Sequence, residues 1–304
     1  MKGDGEREKK KRHPSTVTRP PNKGNIMKNL CASMIIGITI ALLALSAAPG
    51  YAAYETSMQA YWKFDEGGGS VANDSAGEND ATLYGSPTWQ APPQQKLGGA
   101  LYFDGSNDIG VTAAFNTTPF TNQYTVSVWV NHGWTAVRNP SFLSTQGPPS
   151  GGNGFEIYED PVSDIYKLIV KDNYAWAHTY VTSSTGFVSD YGVWVHLVGV
   201  YDGSTLKLYR NGSVIGSSWG GGNIQFSTSA PFVIGNQYIG YLDDLAVWSR
   251  ALSEPEITGI YTAGQAGESL EGLMGGGDEV PEPATVVGVL GVIIVIGFRR
   301  IRRK

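Results

Sequence analysis

Cysteine is all but missing from this chain: one residue among 304, Cys31, inside an apolar run near the start. Everything after residue 52 has neither disulfides nor thiols, so packing, hydrogen bonds or a metal must hold it together. A lipid-anchoring cysteine would follow such a run rather than precede it, which excludes a lipoprotein anchor. Positive charge is scarce too. From residue 29 to 298, eight Lys and Arg face twenty-four Asp and Glu, a net charge near −16. Eight scattered cations cannot neutralise a run of phosphates, which excludes nucleic acid, while divalent cations suit so acidic a surface. Zinc signatures are missing as well: no His-x-x-x-His or Cys/His pair has zinc spacing. The runs "GGG" and "GPPSGG" are flanked by strand signals, not by the strand and helix that a phosphate loop requires.

What is present begins with the two ends. Residues 1–26 are polar and basic, a disordered extension or the product of a start codon called too early, ahead of Met27. Residues 27–52 read as a signal peptide: a short positive start, the run "LCASMIIGITIALLAL", then small residues with cleavage after Ala52. At the other end, residues 280–304 read "VPEPATVVGVLGVIIVIGFRRIRRK". The apolar run Ala284–Phe298 gives roughly 22 Å of helix, short of a ~30 Å hydrocarbon core, and the arginines behind it extend the reach by snorkelling. Positive charge there marks the cytoplasmic side, so the preceding chain lies outside. A Pro-Glu-Pro triplet, an apolar run and a terminal arginine cluster together closely resemble the PEP-CTERM sorting signal of Gram-negative bacteria. That resemblance implies transient anchoring in the inner membrane, recognition by an exosortase through Pro281, Glu282, Pro283, Arg299 and Arg300, and delivery to the cell surface or extracellular matrix.

Between the ends, 53–263 reads as one β-rich domain, and 264–279 as a flexible acidic linker. Runs such as "YTVSVWV", "IYKLIV", "GVWVHLVGVY" and "TLKLYR" are separated by Gly, Asn, Asp and Pro, the spacing of a sandwich or barrel. In "YTVSVWV", Tyr124, Val126, Val128 and Val130 share one face. Asn211-Gly212 predicts a type I′ hairpin. One helix is expected from Ser253, with Glu256 completing a capping box and Pro255 in the first turn, ending at Gly264.

The segments "AYWKFDEGGG", "GGALYFDGSND", "WVHLVGVYDGSTLKLYRNG" and "YLDDLAVWSRALS" follow in that order. They closely resemble the laminin-G-like jelly roll of the concanavalin A-like lectin/glucanase superfamily, over about Gln59–Tyr261. The resemblance implies two antiparallel sheets, first and last strands paired, and carbohydrate or protein binding, often with calcium. Because the superfamily includes glucanases, an acid pair must be sought. Glu156 and Glu159 in "FEIYED" fall on opposite faces of a strand. Glu156 and Asp160 share a face but lie about 13 Å apart, against the ~5 Å or ~6.5–9.5 Å that glycosidases need. The stretch reads as a solvated hairpin tip.

Two binding sites remain as candidates. Asp104, Asn107 and Asp108 in "FDGSND" cluster oxygen donors suited to Ca2+, although the same residues also simply make turns. The resemblance adds Asp65 and Asp243 where the first and last strands meet, with Asp244 turned the other way. For glycan, loops offer aromatics beside polar groups: Trp134 in "NHGW", Tyr174, Trp176 and His178 in "DNYAWAH", and Trp219 in "SSWGGGN". Trp62, Trp129, Trp194 and Trp248 read as core, His196 as a core histidine, and His132 and His178 as exposed. The expectation is therefore an all-β two-sheet jelly-roll sandwich with one short helix and a C-terminal anchor helix. Its function is non-enzymatic binding of an extracellular glycan or exopolysaccharide in a biofilm matrix, with Ca2+ as the candidate cofactor. The alternatives are an adhesive surface protein with protein partners, or a polysaccharide-degrading enzyme.

Overall fold

The alternating runs become sixteen strands among the described residues, arranged as two antiparallel sheets. A computed structural model describes residues 56–91, 95–114, 120, 122–133, 139–145, 154–171, 178–220 and 231–274. Sheet A runs, in spatial order, β14 (Ser213–Trp219), β13 (Thr205–Arg210), β12 (Val195–Tyr201), β7 (Tyr124–His132), β16 (Ile239–Trp248), β5 (Ala100–Asp104) and β4 (Thr88–Gln90). β1 (Met58–Trp62) also pairs with β16, so the first and last strands meet as the resemblance implied. Sheet B runs β11 (His178–Thr182), β10 (Ile165–Lys171), β9 (Gly154–Asp160), β8 (Ser141–Ser144), β15 (Pro231–Ile234), β6 (Ile109–Ala114), β3 (Ala81–Tyr84) and β2 (Val71–Ala72).

Side-chain alternation decides what each face does. On β7, Tyr124, Val126, Val128 and Val130 enter the inter-sheet core beside Phe155, Leu168, Leu197 and Phe232. Each such residue, fully buried, contributes roughly 1.5–3 kcal/mol of transfer free energy. The other face of sheet A is buried as well, because Val198, Val200, Tyr209, Ala246 and Trp248 form a second cluster with Ile257, Ile260 and Leu270 of the C-terminal helices. Double coverage explains why "GVWVHLVGVY" is apolar on both faces.

The helix α1 spans Glu254–Ala266, and a second, α2, spans Leu270–Met274. Glu256 accepts the Ser253 backbone N–H at 2.7 Å and is clamped by Arg250, so the start follows the expected capping logic. The end does not. Gly264 lies inside the helix, and the left-handed cap is Gly267, with φ 85°. A Cβ on Gly264 would lie 2.5 Å from the Trp129 ring, so this glycine permits close approach rather than termination. The segment expected as tether therefore packs onto sheet A at least as far as Leu270, which is 3% exposed. The Asn211-Gly212 hairpin has φ 51° and 77°, as a type I′ turn needs. Trp62, Trp129 and Trp248 are core, but Trp194 is only half-buried, a departure from the expected core role. Among the described residues no helix is long and apolar enough to cross a membrane. The apolar run 284–298, proposed as an anchor helix, lies outside them.

Candidate functional site

Strand register sorts the glycan candidates by position. β14 and β11 approach at the open side of the sandwich: Ser184 N–H donates to Ile215 O at 2.7 Å, and Gly216 abuts Thr182. Continuing that antiparallel run brings Trp219 opposite Tyr180. Trp219 is 73% and Tyr180 54% exposed, on the outer faces of sheets A and B respectively. Tyr180 escaped the sequence reading, although its alternation with buried Val181 in "HTYVT" was the available signal. His178 opens β11 opposite Lys171. Trp134, Tyr174 and Trp176 lie outside the described residues, as do Pro281, Glu282, Pro283, Arg299 and Arg300. The strands bracketing 172–177 and 220–230 end at the same rim, near Tyr124, whereas the one leading to Trp134 ends at the opposite rim.

The acidic candidates separate into two groups. In the turn after β5, Asp104 accepts the Ser106 N–H at 2.8 Å and Asp108 accepts the Asp104 N–H at 2.9 Å, so backbone donors occupy an oxygen of each carboxylate. Burial pushes Asp108 up. Asn107 presents its backbone to Gly85. Ile239 pairs with Asp104, four residues before Asp243 on β16, which puts about 13 Å of strand between the groups. They are not brought together.

Asp243 and Asp244 behave differently. A bulge between Asp243 and Ala246 absorbs one extra residue, with Asp244 at φ 46°. Both carboxylates consequently lie on the outer face of sheet A, which corrects the expectation that Asp244 turns away. Asp243 accepts the Lys96 and Leu97 backbone N–H groups at 3.0 and 2.7 Å, and Asp244 accepts the Tyr61 hydroxyl at 2.5 Å. Asp243 is 0% and Asp244 3% exposed, and one oxygen of each has no partner among the described residues. Burial first, then mutual repulsion and Asp65, raises Asp243 well above the usual carboxylate range. Burial likewise raises Asp244 and Asp65. Among the described residues no three His, Cys, Asp or Glu side chains gather closely enough to hold a metal. The fit to calcium thus rests on two orphaned carboxylate oxygens, with backbone or water oxygens required to complete a shell.

The largest departure lies in the core. His132, expected at the surface, is 0% exposed, and Glu159, expected at a solvated hairpin tip, is also 0% exposed. His132 Nδ1 lies 2.6 Å from Glu159 Oε2, and Nε2 lies 3.0 Å from the Tyr166 hydroxyl, which donates to Asp190 at 2.8 Å. Asp190 takes the Arg210 fork. Because Tyr166 spends its proton on Asp190, its oxygen accepts from His132 Nε2–H, and the His132–Glu159 contact shares one further proton. Burial raises Glu159, and the His132 hydrogen bond opposes that rise. The chain ties sheet B to sheet A through the core. Glu156 stays on the outer face, opposite Glu159, as the strand period required. His196 is core, as expected: its Nε2 lies 2.7 Å from Ser127 Oγ, and burial pushes it down to about 3, so it is neutral.

Solved structures share this architecture at low identity. The receptor-binding domain of botulinum neurotoxin C/D mosaic serotype matches with TM-score 0.55 and 15% identity, over 69% of this chain and 52% of that one. The botulinum neurotoxin DC binding domain in complex with SialylT matches with TM-score 0.55 and 13% identity, over 69% and 52%. Domain 4 of AbnA, a GH43 extracellular arabinanase from Geobacillus stearothermophilus, in complex with arabinotriose, matches with TM-score 0.51 and 20% identity, over 67% and 97%. The chain spans about half the length of the toxin domains, and these likenesses bear on fold alone. No curated protein matches it in sequence. Residues 103–258 match the Laminin_G_3 model, described as concanavalin A-like lectin/glucanases superfamily. That match covers more than half of the 304 residues, and the chain belongs to this family.

Proposed function

We propose that the protein is an exported, non-catalytic glycan-binding module. The observation that carries this reading is Trp219, 73% exposed on an edge strand, at the rim where β10 also ends. Leaving a tryptophan in water forgoes the free energy of its burial, and a sugar ring's apolar face recovers it. Domains of this fold occur in complexes with SialylT and with arabinotriose, which supports the ligand class without naming the sugar. A non-catalytic role is supported by Glu156 and Glu159 lying on opposite faces, with Glu159 sealed in the core. The terminal segments of the sequence support export, anchoring by the apolar run 284–298, exosortase processing at Pro281-Glu282-Pro283 and display on a Gram-negative surface. Calcium at Asp243 and Asp244 would neutralise two buried carboxylates and fasten the last strand to the 95–99 loop. A glycan array probed with the full chain tests the ligand class. Saturable binding weakened about tenfold by Trp219→Ala is expected. Binding to a glycan that is indifferent to Trp219→Ala would refute the rim as the site.

A further inference from the structure

One rung of sheet A carries a row of side chains that no role above uses. Register pairs Tyr102 on β5 with Tyr241 on β16, and Tyr241 with Asn131 on β7. Val195 pairs with Val130, so Trp194 continues the rung beside Asn131. All four face outward, because Leu101, Leu242, Val130 and Val195 next to them point into the core. The Tyr102 and Tyr241 ring centroids are 4.9 Å apart, and Trp194 leans over Asn131 to within 6.2 Å of Tyr241. The rings are tilted by 52° and 49°, which makes a troughed strip rather than a flat shelf.

Burial sets this rung apart from its neighbour. The next outward rung, Asp243, Trp129 and His196, is sealed under Lys96, Gly264 and Tyr261. Tyr102, Tyr241, Asn131 and Trp194 are all half-buried, each keeping part of its surface in water. Helix α1 and the 95–99 loop thus stop one rung short and border the strip. No described residue hydrogen-bonds the Asn131 carboxamide, which leaves a donor and an acceptor between the rings. The rung holds no formal charge, on a chain whose segment 29–298 is near −16. An anionic polymer would be repelled by that field, whereas an uncharged sugar chain, apolar on its ring faces and hydroxylated at its edges, matches rings flanking an amide.

We infer that this strip is a second carbohydrate contact, selective for an uncharged glycan chain laid across β5, β16, β7 and β12. It rests on the glycan-binding reading but not on Trp219, which lies at the opposite end of the strands. Seven residues along β7, from Tyr124 to Asn131, put about 23 Å between the two rims.

The test is native gel electrophoresis of the full chain in gels cast with neutral laminarin, arabinan, xylan or galactomannan, with alginate as the anionic comparison. Retardation in at least one neutral gel is expected, weakened about tenfold by Tyr241→Ala and by Trp194→Ala, and kept by Tyr241→Phe, which preserves the ring. Thermal melts identify any variant that fails to fold, in which case Tyr241→Phe and Trp194→Ala decide. Retardation abolished by Trp219→Ala but untouched by Tyr241→Ala and Trp194→Ala would overturn the strip while leaving glycan binding intact. Stronger retardation by alginate would overturn the charge selectivity. No retardation in any gel would remove both together.

Discussion

His132→Phe is the sharpest probe of the core network. The new ring keeps the aromatic contacts that His132 makes with Tyr166, Phe187 and Tyr191, at centroid distances of 5.7, 5.3 and 5.5 Å. Both nitrogens vanish. Glu159 Oε2 loses its 2.6 Å partner and the Tyr166 oxygen its 3.0 Å donor, at sites with 0% exposure. Removing one member of a buried charged pair costs about 3–5 kcal/mol. Glu159 escapes part of that by taking up a proton. A net loss of about 3 kcal/mol lowers Tm by roughly 6–12 °C for a domain of this size.

The sign with pH follows from linkage. Burial already holds Glu159 above its unfolded value, and losing the imidazole raises it further. A raised folded value gives stability that is full below the unfolded pKa and lost as pH rises through the folded one. The deficit of the variant should therefore be small near pH 4 and grow toward neutrality. Adding Glu159→Gln to His132→Phe should recover about 1–2 kcal/mol at pH 8, because the stranded charge is gone. Calorimetric melts from pH 4 to 8 make the measurement. A Tm within about 2 °C of the parent at pH 8, or a deficit that shrinks with rising pH, would refute the reasoning.

Two further outcomes follow from buried carboxylates. Asp74 accepts four hydrogen bonds: from Tyr61 N–H and Ala76 N–H on Oδ1, and from the backbone and side chain of Asn79 on Oδ2. Asp74→Ala should cost about 2–4 kcal/mol, read as a lower urea midpoint at unchanged m-value; an unchanged midpoint would show the 73–80 loop to be held otherwise. For Asp243 and Asp244, millimolar calcium should raise the parent's Tm and EGTA should reverse it, with about 2.7 kcal/mol gained at a hundredfold excess over Kd. Asp244→Ala should abolish the response, and a parent indifferent to both additions would remove the cation.

Regular structure was legible because local rules and tertiary context agreed. Asn211-Gly212 needs two positive φ values whatever surrounds it, and the β7 alternation needs only a core on one side. The misreadings came from contacts made far away in sequence. Gly264 looks like a helix stop until Trp129, more than a hundred residues earlier, is found against it. Asp244 follows period two until a bulge adds a residue, which nothing in "YLDDLAVW" announces. His132 and Glu159 look like surface polar residues because each is tolerable in the core only through the other. Tyr102, Tyr241 and Trp194 come from three unrelated segments, and only strand register places them on one rung.

Passive docking on sugar is the claim from which the remaining roles descend. The direct measurement is to incubate the full chain with each neutral polysaccharide and record both the bound fraction and the number of reducing ends. The account expects at least one polymer to be bound saturably and recovered at its original length. Release of new reducing ends, or no binding to any glycan offered, would contradict it.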